Sequence, residues 1–510
     1  MFKKRGFKIL AFITFINFIA VILLNFGYIS FSTKIHKFIY PQELKLDTSV
    51  REPTFEEMVK AVNEELPNLP LELHVKNRYR GFRLNTTCAP YPEVLEIQFH
   101  NNFYQHYSNK NITFELFAAY YDNRTDIPKH PVVRIFAMIN QIEEKFNTNY
   151  CQFWFESQKE PVIVPITEYL VVWIKGWGNK FNHLYPHMLT CILPKEKASE
   201  APRSISIVNK ECDKATNHLK VIYEPPLGKR KKGGFAVCVK GFMFPFADIS
   251  ARLVEWMEMM RILGAQEVIA YSLAVHPNAT KVIDYYKKKG FLRVYPYSYA
   301  RGEPVFANFQ RYIMKEDYLN MILNEMFPYN DCFYRNIYKY DYVAGIDIDE
   351  VIMPLGNWTS WYDIVEYGEK FKSPNCKTFA GICFRNTYYP KYEGQPPYST
   401  DIPNYFYMLQ HVKRIEKHMP SGFATKCLHN TKYALTLHNH YSLNYLGCRD
   451  LDMNTTDAQL QHYREPDDKN TLNLTIMDPN IWRFKDNLIK RCPNQMRSWA
   501  NRNYCRDSLQ

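Results

Sequence analysis

No two of the 12 cysteines are spaced Cys-x-x-Cys, so the chain lacks the ligand pattern of a zinc finger or ribbon. Charge of either sign is missing from Ile9 to Phe31, an apolar stretch long enough at helical rise to cross a hydrocarbon layer of about 30 Å. A small-x-small cleavage site is also missing, which argues against a removed secretory leader. There is no additional cluster of His and Asp of the kind that holds two metals in a hydrolase. Acidic residues are in the minority, 52 Asp and Glu against 64 Lys and Arg, for a formal charge of +12.

What is present excludes a disordered chain, because 46% hydrophobic and 16% aromatic residues supply ample packing surface. The positive balance suits nucleic acid, an anionic membrane surface or a nucleotide diphosphate. Lys3, Lys4, Arg5 and Lys8 precede the apolar stretch, whereas Lys34 and Lys37 follow it. This bias predicts a cytosolic tail over 1–8, a transmembrane signal anchor over 9–31 and a lumenal body, which removes nucleic acid as a partner. Acceptor triplets for N-glycosylation at Asn85, Asn111, Asn123, Asn278, Asn357, Asn454 and Asn473 agree with a lumenal body. Scattered cysteines in an oxidising lumen are expected to pair as disulfides.

The lumenal chain divides by composition. Residues 32–78 read as a stem, and 79–232 as a β-rich accessory region with strands such as Cys151–Phe155 and Tyr169–Ile174. The run Lys229–Lys232 reads as a solvated linker. From 233 to 510 the pattern turns α/β. The strand Phe235–Val239 is followed by a helix whose apolar residues Leu253, Trp256, Met257 and Met260 recur at helical spacing up to Gly264. A strand over Glu267–Leu273, a helix over Ala279–Lys289 and a strand over Phe291–Tyr295 follow. This order predicts a Rossmann-like, mostly parallel sheet with ligands beyond the carboxyl ends of its strands.

The apolar run Tyr342–Ile346 reads as a buried strand, and Asp347-Ile348-Asp349 stands at its carboxyl end. Two neighbouring carboxylates there need a cation or strong hydrogen bonds to offset repulsion and desolvation. Their hard oxygens suit manganese or magnesium, which can bridge to a diphosphate. The same chemistry serves a metal-dependent hydrolase, so the pair alone does not name a reaction.

Three segments carry a family likeness: Cys238-Val239-Lys240 with Leu253-Val254-Glu255-Trp256, Asn330 to Arg335, and Tyr342 to Pro354. On them the chain resembles glycosyltransferase family 92 over roughly Phe235 to Arg464, with weaker likeness upstream at Tyr185–Pro194 and Ser204–Val208. The resemblance implies a GT-A-type nucleotide-sugar transferase domain. It also implies inverting transfer of a hexose, galactose from UDP-galactose, to a glycan of a glycoprotein or glycolipid at the Golgi membrane. It places Mn2+ (or Mg2+) on Asp347 and Asp349, completed by a late histidine, His438 or alternatively His462. Lys240, Asp331, Arg335 and Asp347 become donor-binding candidates, and Trp358 and Trp361 candidates for sugar stacking. Inversion needs a base, for which Glu393 and Asp401 are the candidates. The segment Tyr271–His276 departs from many such enzymes in lacking an acidic residue near the nucleoside. A catalytically inactive lectin-like lumenal protein and a lumenal metal-dependent hydrolase stand as the alternatives.

Overall fold

The computed structural model describes residues 17–18, 21–22, 51–78, 86–124, 131–142, 145–226, 232–301, 305–372, 374, 376, 379–391 and 399–496. The chain divides into two units, Met1–Met58 and Val59–Gln510, and every strand among the described residues belongs to the second.

Nine strands come first: β1 (Phe99–Asn101), β2 (Tyr104–Asn109), β3 (Ile112–Asp122), β4 (Val132–Ile139), β5 (Tyr150–Trp154), β6 (Val162–Val171), β7 (Tyr185–Ile192), β8 (Ser204–Val208) and β9 (Leu219–Ile222). They are ordered β1-β2-β3-β4-β7-β6-β5-β8-β9, and β9 returns to pair with β3, closing a barrel of seven strands. The accessory region is therefore a closed barrel, which leaves no free edge among those seven strands. Along β4 the alternation is regular: Val133, Ile135, Ala137 and Ile139 fill the barrel, while Phe136 and Met138 pack outward on the following domain. In β3 the register shifts between Leu116 and Ala118. That bulge changes the parity, so Phe117 and Tyr120 also face outward while Ala119 and Tyr121 face in.

The second half is built on strands β10 (Phe235–Phe244), β11 (Ala265–Val275), β12 (Leu292–Pro296), β13 (Tyr342–Gly345), β14 (Glu350–Pro354), β15 (Gly381–Phe384), β16 (Asn386–Tyr388), β17 (Lys413–Ile415), β18 (Lys426–Asn430), β19 (Ala434–Leu437), β20 (Ser442–Tyr445), β21 (Leu451–Asp452) and β22 (Ala458–His462). The helices that bear on the site are α1 (Ser250–Leu263), α2 (Pro277–Lys288), α3 (Ala307–Glu316), α4 (Tyr318–Asn336) and α5 (Trp361–Gly368). As its sequence predicts, α1 ends on Gly264, which takes the left-handed conformation at φ 110°.

Two parts of the expected architecture are corrected. The main sheet, in the order β12-β11-β10-β13-β18-β15-β21, is mixed, with four of its six pairings parallel and two antiparallel. The pairs among β12, β11, β10 and β13 are parallel, but β18 runs antiparallel to both β13 and β15. The physical reason lies after β13, where the chain turns through the acidic motif into a separate sheet, β14-β22-β16, and only a later segment returns beside β13. The second correction concerns the anchor: among the described residues no helix is long and apolar enough to cross a membrane. Of the 9–31 stretch, only 17, 18, 21 and 22 lie within the described residues.

Barrel and α/β half share one core. Phe117, Tyr120, Phe136 and Met188 of the barrel pack with Tyr271, Phe327 and Phe333 of the α/β half. Burial of each such side chain contributes about 1.5–3 kcal/mol. Among the described residues five disulfides reinforce the body, Cys88–Cys212, Cys151–Cys191, Cys238–Cys332, Cys376–Cys448 and Cys383–Cys427, as the lumenal reading expects of these cysteines. One of them ties β10 to α4 beside the acidic motif.

Candidate active site

The acidic motif lies in the tight link between two strands and not on a strand, because β13 ends at Gly345 and β14 begins at Glu350. The Asp347 N–H donates to Glu350 Oε2 (2.8 Å), the Glu350 N–H donates to the Asp347 carbonyl (3.1 Å), and the Tyr463 N–H donates to the Asp349 carbonyl (2.8 Å). These bonds fix the turn and send its two carboxylates to different partners.

Asp347 turns to two lysines. Its Oδ2 stands 3.4 Å from Lys240 Nζ, at the register shift of β10 after Val239, and 3.3 Å from Lys426 Nζ at the head of β18. Burial works against its charge, but Lys240, Lys426 and His462 outweigh it and hold the carboxyl well below the usual carboxylate range. Lys426 is itself 1% exposed. Its ammonium also donates to Asn439 Oδ1 (2.6 Å) and stands 3.3 Å from Glu350 Oε2. Lys240 reaches Glu325 of α4 at 3.2 Å. Burial raises Glu350 and Glu325 above the usual carboxylate range, the lysines opposing it. In this cluster Lys240 and Lys426 offset the charge of Asp347.

Asp349 turns the other way. Its Oδ2 is 3.5 Å from His462 Nε2, and 40% of the side chain is exposed. His462 is delivered by register, since it lies directly opposite Glu350 in the antiparallel pair β14–β22. Its Nε2 accepts from Arg464 Nε (3.1 Å), and its ring stacks on Tyr388. Nδ1 faces Glu350 Oε1 at 3.6 Å and is buried without a hydrogen-bond partner.

The other expected residues fall elsewhere. His438 sits in the β19–β20 turn against Trp177 (4.5 Å between ring centres), His440 and Tyr441, and burial together with His440 pushes it down to about 3. His429 bonds Ser442 and His440 bonds the Thr425 carbonyl. Asp331 is buried, accepting from the hydroxyls of Tyr120 and Tyr271 and from Arg335 Nε (2.8 Å), so it bonds barrel to sheet. Arg335 also faces Glu224 and lies over the Tyr295 ring. Asp401 is an exposed partner of Lys485 and Ser399, and Glu393 lies outside the described residues. Trp361 is a core residue bonded to the Ile352 carbonyl, and Trp358 packs on Tyr367. Asn111, Asn123, Asn357, Asn454 and Asn473 are exposed, Asn278 is half-buried, and Asn85 lies outside the described residues.

Matching the chain against family models gives glycosyltransferase family 92 over residues 233–504. The chain belongs to that family. No curated protein matches it. The matched span opens just before β10 and contains the acidic turn, both lysines and His462, so the whole charged cluster of this family 92 glycosyltransferase lies inside the family region. The barrel lies outside it. Sequence reasoning missed Lys426, Glu350, Glu325, Tyr329 and Asn439. One signal was available for Lys426, a cation heading the short strand Lys426-Cys427-Leu428, where burial demands a partner.

The donor set fits a divalent ion on the Asp349 side. Neighbouring ligands on an octahedral ion with bonds near 2.1 Å stand about 3 Å apart, close to the 3.5 Å between Asp349 Oδ2 and His462 Nε2. A carboxylate and an imidazole both suit manganese. Among the described residues, the trio of His, Cys, Asp or Glu whose ligand atoms all lie within 4.8 Å is Cys383, Cys427 and Asp450. There the two sulfurs are already joined in a disulfide.

Proposed function

We propose that this family 92 glycosyltransferase transfers a hexose, galactose from UDP-galactose, to a glycan acceptor of a glycoprotein or glycolipid with inversion at the anomeric carbon. The observation that carries the reading is the split of the acidic turn, with Asp349 facing His462 and Asp347 facing Lys240 and Lys426. Asp349 and His462 would hold Mn2+ (or Mg2+), with Asp347 beside them. Such an ion, when bound, neutralises charge on a departing diphosphate.

The chain's own residues do the rest. Lys240, 25% exposed, presents a cation toward the open side of the cluster, where a donor phosphate can exchange for part of its contact with Asp347. Lys426 is closed in and keeps Asp347 ionised. Arg464 Nε–H donates to the single lone pair of His462 Nε2, a bond that a metal ion held there would displace. We place the protein in the lumen of the Golgi, a reading supported by five disulfides and by five exposed acceptor asparagines.

The test is a screen of nucleotide-sugar donors with and without manganese, then with chelator. UDP-galactose turnover that requires metal is expected, falling at least about 10²-fold in Asp349→Asn. Absence of turnover with every donor, or turnover indifferent to chelator, sinks the reading. Binding of a glycan without transfer would favour a lectin-like protein, and cleavage of simple esters or glycosides without a nucleotide donor would favour a hydrolase.

A further inference from the structure

The long connection between β6 and β7 leaves the barrel and lies on the α/β half beside the charged cluster. It carries Trp173 and Trp177, whose rings meet edge to face at 5.1 Å. Two fastenings hold it. His183 pairs with Asp317, the N-cap of α4, at 2.9 Å. Gly178, at φ 143°, lies so near Leu319 that an added Cβ would come within 3.2 Å of that side chain. A residue with a side chain would be strained at that φ and crowded by Leu319, and the Gly178 carbonyl accepts from Trp173 Nε1 (3.0 Å).

From this loop Trp177 reaches the β19–β20 turn. Its ring lies tilted against His438, 4.5 Å between centres, and meets Tyr441 edge to face at 6.4 Å. The next residue in that turn, Asn439, accepts from Lys426 Nζ (2.6 Å) and from the Tyr329 hydroxyl (2.9 Å). Lys426 in turn holds Asp347 at 3.3 Å. The aromatic cluster is therefore one turn of chain and one lysine away from the acidic motif. Trp177 keeps 37% of its surface open.

We propose that Trp177, with His438 and Tyr441, forms the platform on which a sugar ring of the acceptor glycan stacks. The inference rests on the transferase reading above and names where its acceptor sits. A sugar ring presents an apolar C–H face rimmed by hydroxyls, and this surface matches it with aromatic faces whose edges carry an indole N–H, an imidazole and a phenol. A nucleotide is the weaker fit. In such sheets it lies beyond the carboxyl ends of parallel strands, here β10 and β11. Trp177 instead belongs to a barrel loop and His438 to the turn of the separate β19–β20 hairpin, neither at the end of a parallel strand.

The experiment compares wild type with Trp177→Ala and Trp177→Phe. The probe acceptors are oligosaccharides released from secreted glycoproteins, and the donor is the one the wild type uses best. In Trp177→Ala the acceptor KM should rise about tenfold, the order expected for one lost aromatic contact. Its donor KM and its slow hydrolysis of donor without acceptor should stay within twofold, and Trp177→Phe should recover most of the acceptor KM. As a readout independent of turnover, added oligosaccharide should change indole fluorescence in wild type and not in Trp177→Phe. An acceptor KM unchanged in Trp177→Ala overturns the platform while leaving the transferase intact, and a donor KM that rises in step assigns the ring to the nucleotide instead. Wild type that turns over no donor overturns both readings, and donor hydrolysis without transfer to any saccharide overturns the platform.

Discussion

Lys426 offers the sharpest test of the charged cluster, because its ammonium is 1% exposed and stands 3.3 Å from each of two carboxylates, Asp347 and Glu350. Lys426→Met keeps most of the stem's volume and removes only the charge and its hydrogen bonds. Breaking a buried ion pair by deleting one partner costs about 3–5 kcal/mol. Asp347 keeps Lys240 at 3.4 Å, so the loss falls mainly on Glu350, which burial already raises and which would then take up a proton. Protonation limits the cost to about 1.4 kcal/mol for each pH unit above the unfolded value near 4.3. Allowing for the part that wild type already bears, a deficit of about 3 kcal/mol is expected at pH 7 and about 1 at pH 5. The sign follows from linkage: a carboxyl raised on folding contributes stability at low pH and loses it as pH rises toward the folded value. Urea unfolding followed by tryptophan fluorescence at the two pH values measures the deficit. Adding Glu350→Gln to Lys426→Met should restore most of it, since no unpaired charge remains. A deficit equal at both pH values, or a double variant no better than the single one, would refute the charge argument and leave Lys426 as packing.

Asp347 and Asp349 should respond differently to removal of charge. Asp347→Asn leaves Lys240 and Lys426 less compensated and should lower the urea midpoint, whereas Asp349→Asn, 40% exposed in its side chain, should leave the midpoint unchanged and weaken manganese binding measured by calorimetry. Asp331→Ala leaves Arg335, in the interface between barrel and sheet, with the longer 3.6 Å contact to Glu224 and should cost about 3 kcal/mol. Tyr120→Phe removes one hydroxyl from the same carboxylate and should cost about 1 kcal/mol, both read by urea unfolding. Glu255 is buried and accepts the backbone N–H groups of Tyr407, Met408 and Leu409, while burial pushes it up to about 7. Wild type should therefore lose stability relative to Glu255→Gln as pH rises from about 4.5 to 7, by on the order of 2 kcal/mol. A difference that does not change with pH would remove Glu255 as the cause.

The local elements were legible because each is written in consecutive residues. The apolar spacing of Leu253, Trp256, Met257 and Met260 and the stop at Gly264 define α1. The run before Asp347 defines β13. Barrel closure was not legible, since it depends on Ala119 and Tyr120 meeting Val221 and Ile222, a pairing that no local pattern encodes. Nor was the mixed character of the main sheet, which depends on β18 returning antiparallel to β13 from far along the chain. For Asp331 and Arg335 a signal was present and pointed the right way, because residues four apart on a helix meet. Their spacing favours an internal ion pair, and the structure shows one at 2.8 Å.

The two late histidines show where sequence reasoning about a site runs out. Both follow or end a short strand, and both are flanked by residues a ligand could meet, so nothing local separates them. Register separates them: β22 places His462 opposite Glu350, one residue beyond Asp349, whereas the turn after β19 carries His438 onto Trp177. The acidic pair divides by the same logic. An argument from repulsion treats Asp347 and Asp349 as one unit in need of one cation, but the turn after Gly345 points them apart and supplies lysines to one and a histidine to the other. Charge balance at Asp347 is therefore a property of the fold, and the demand for a metal, as we propose it, falls on Asp349 and His462.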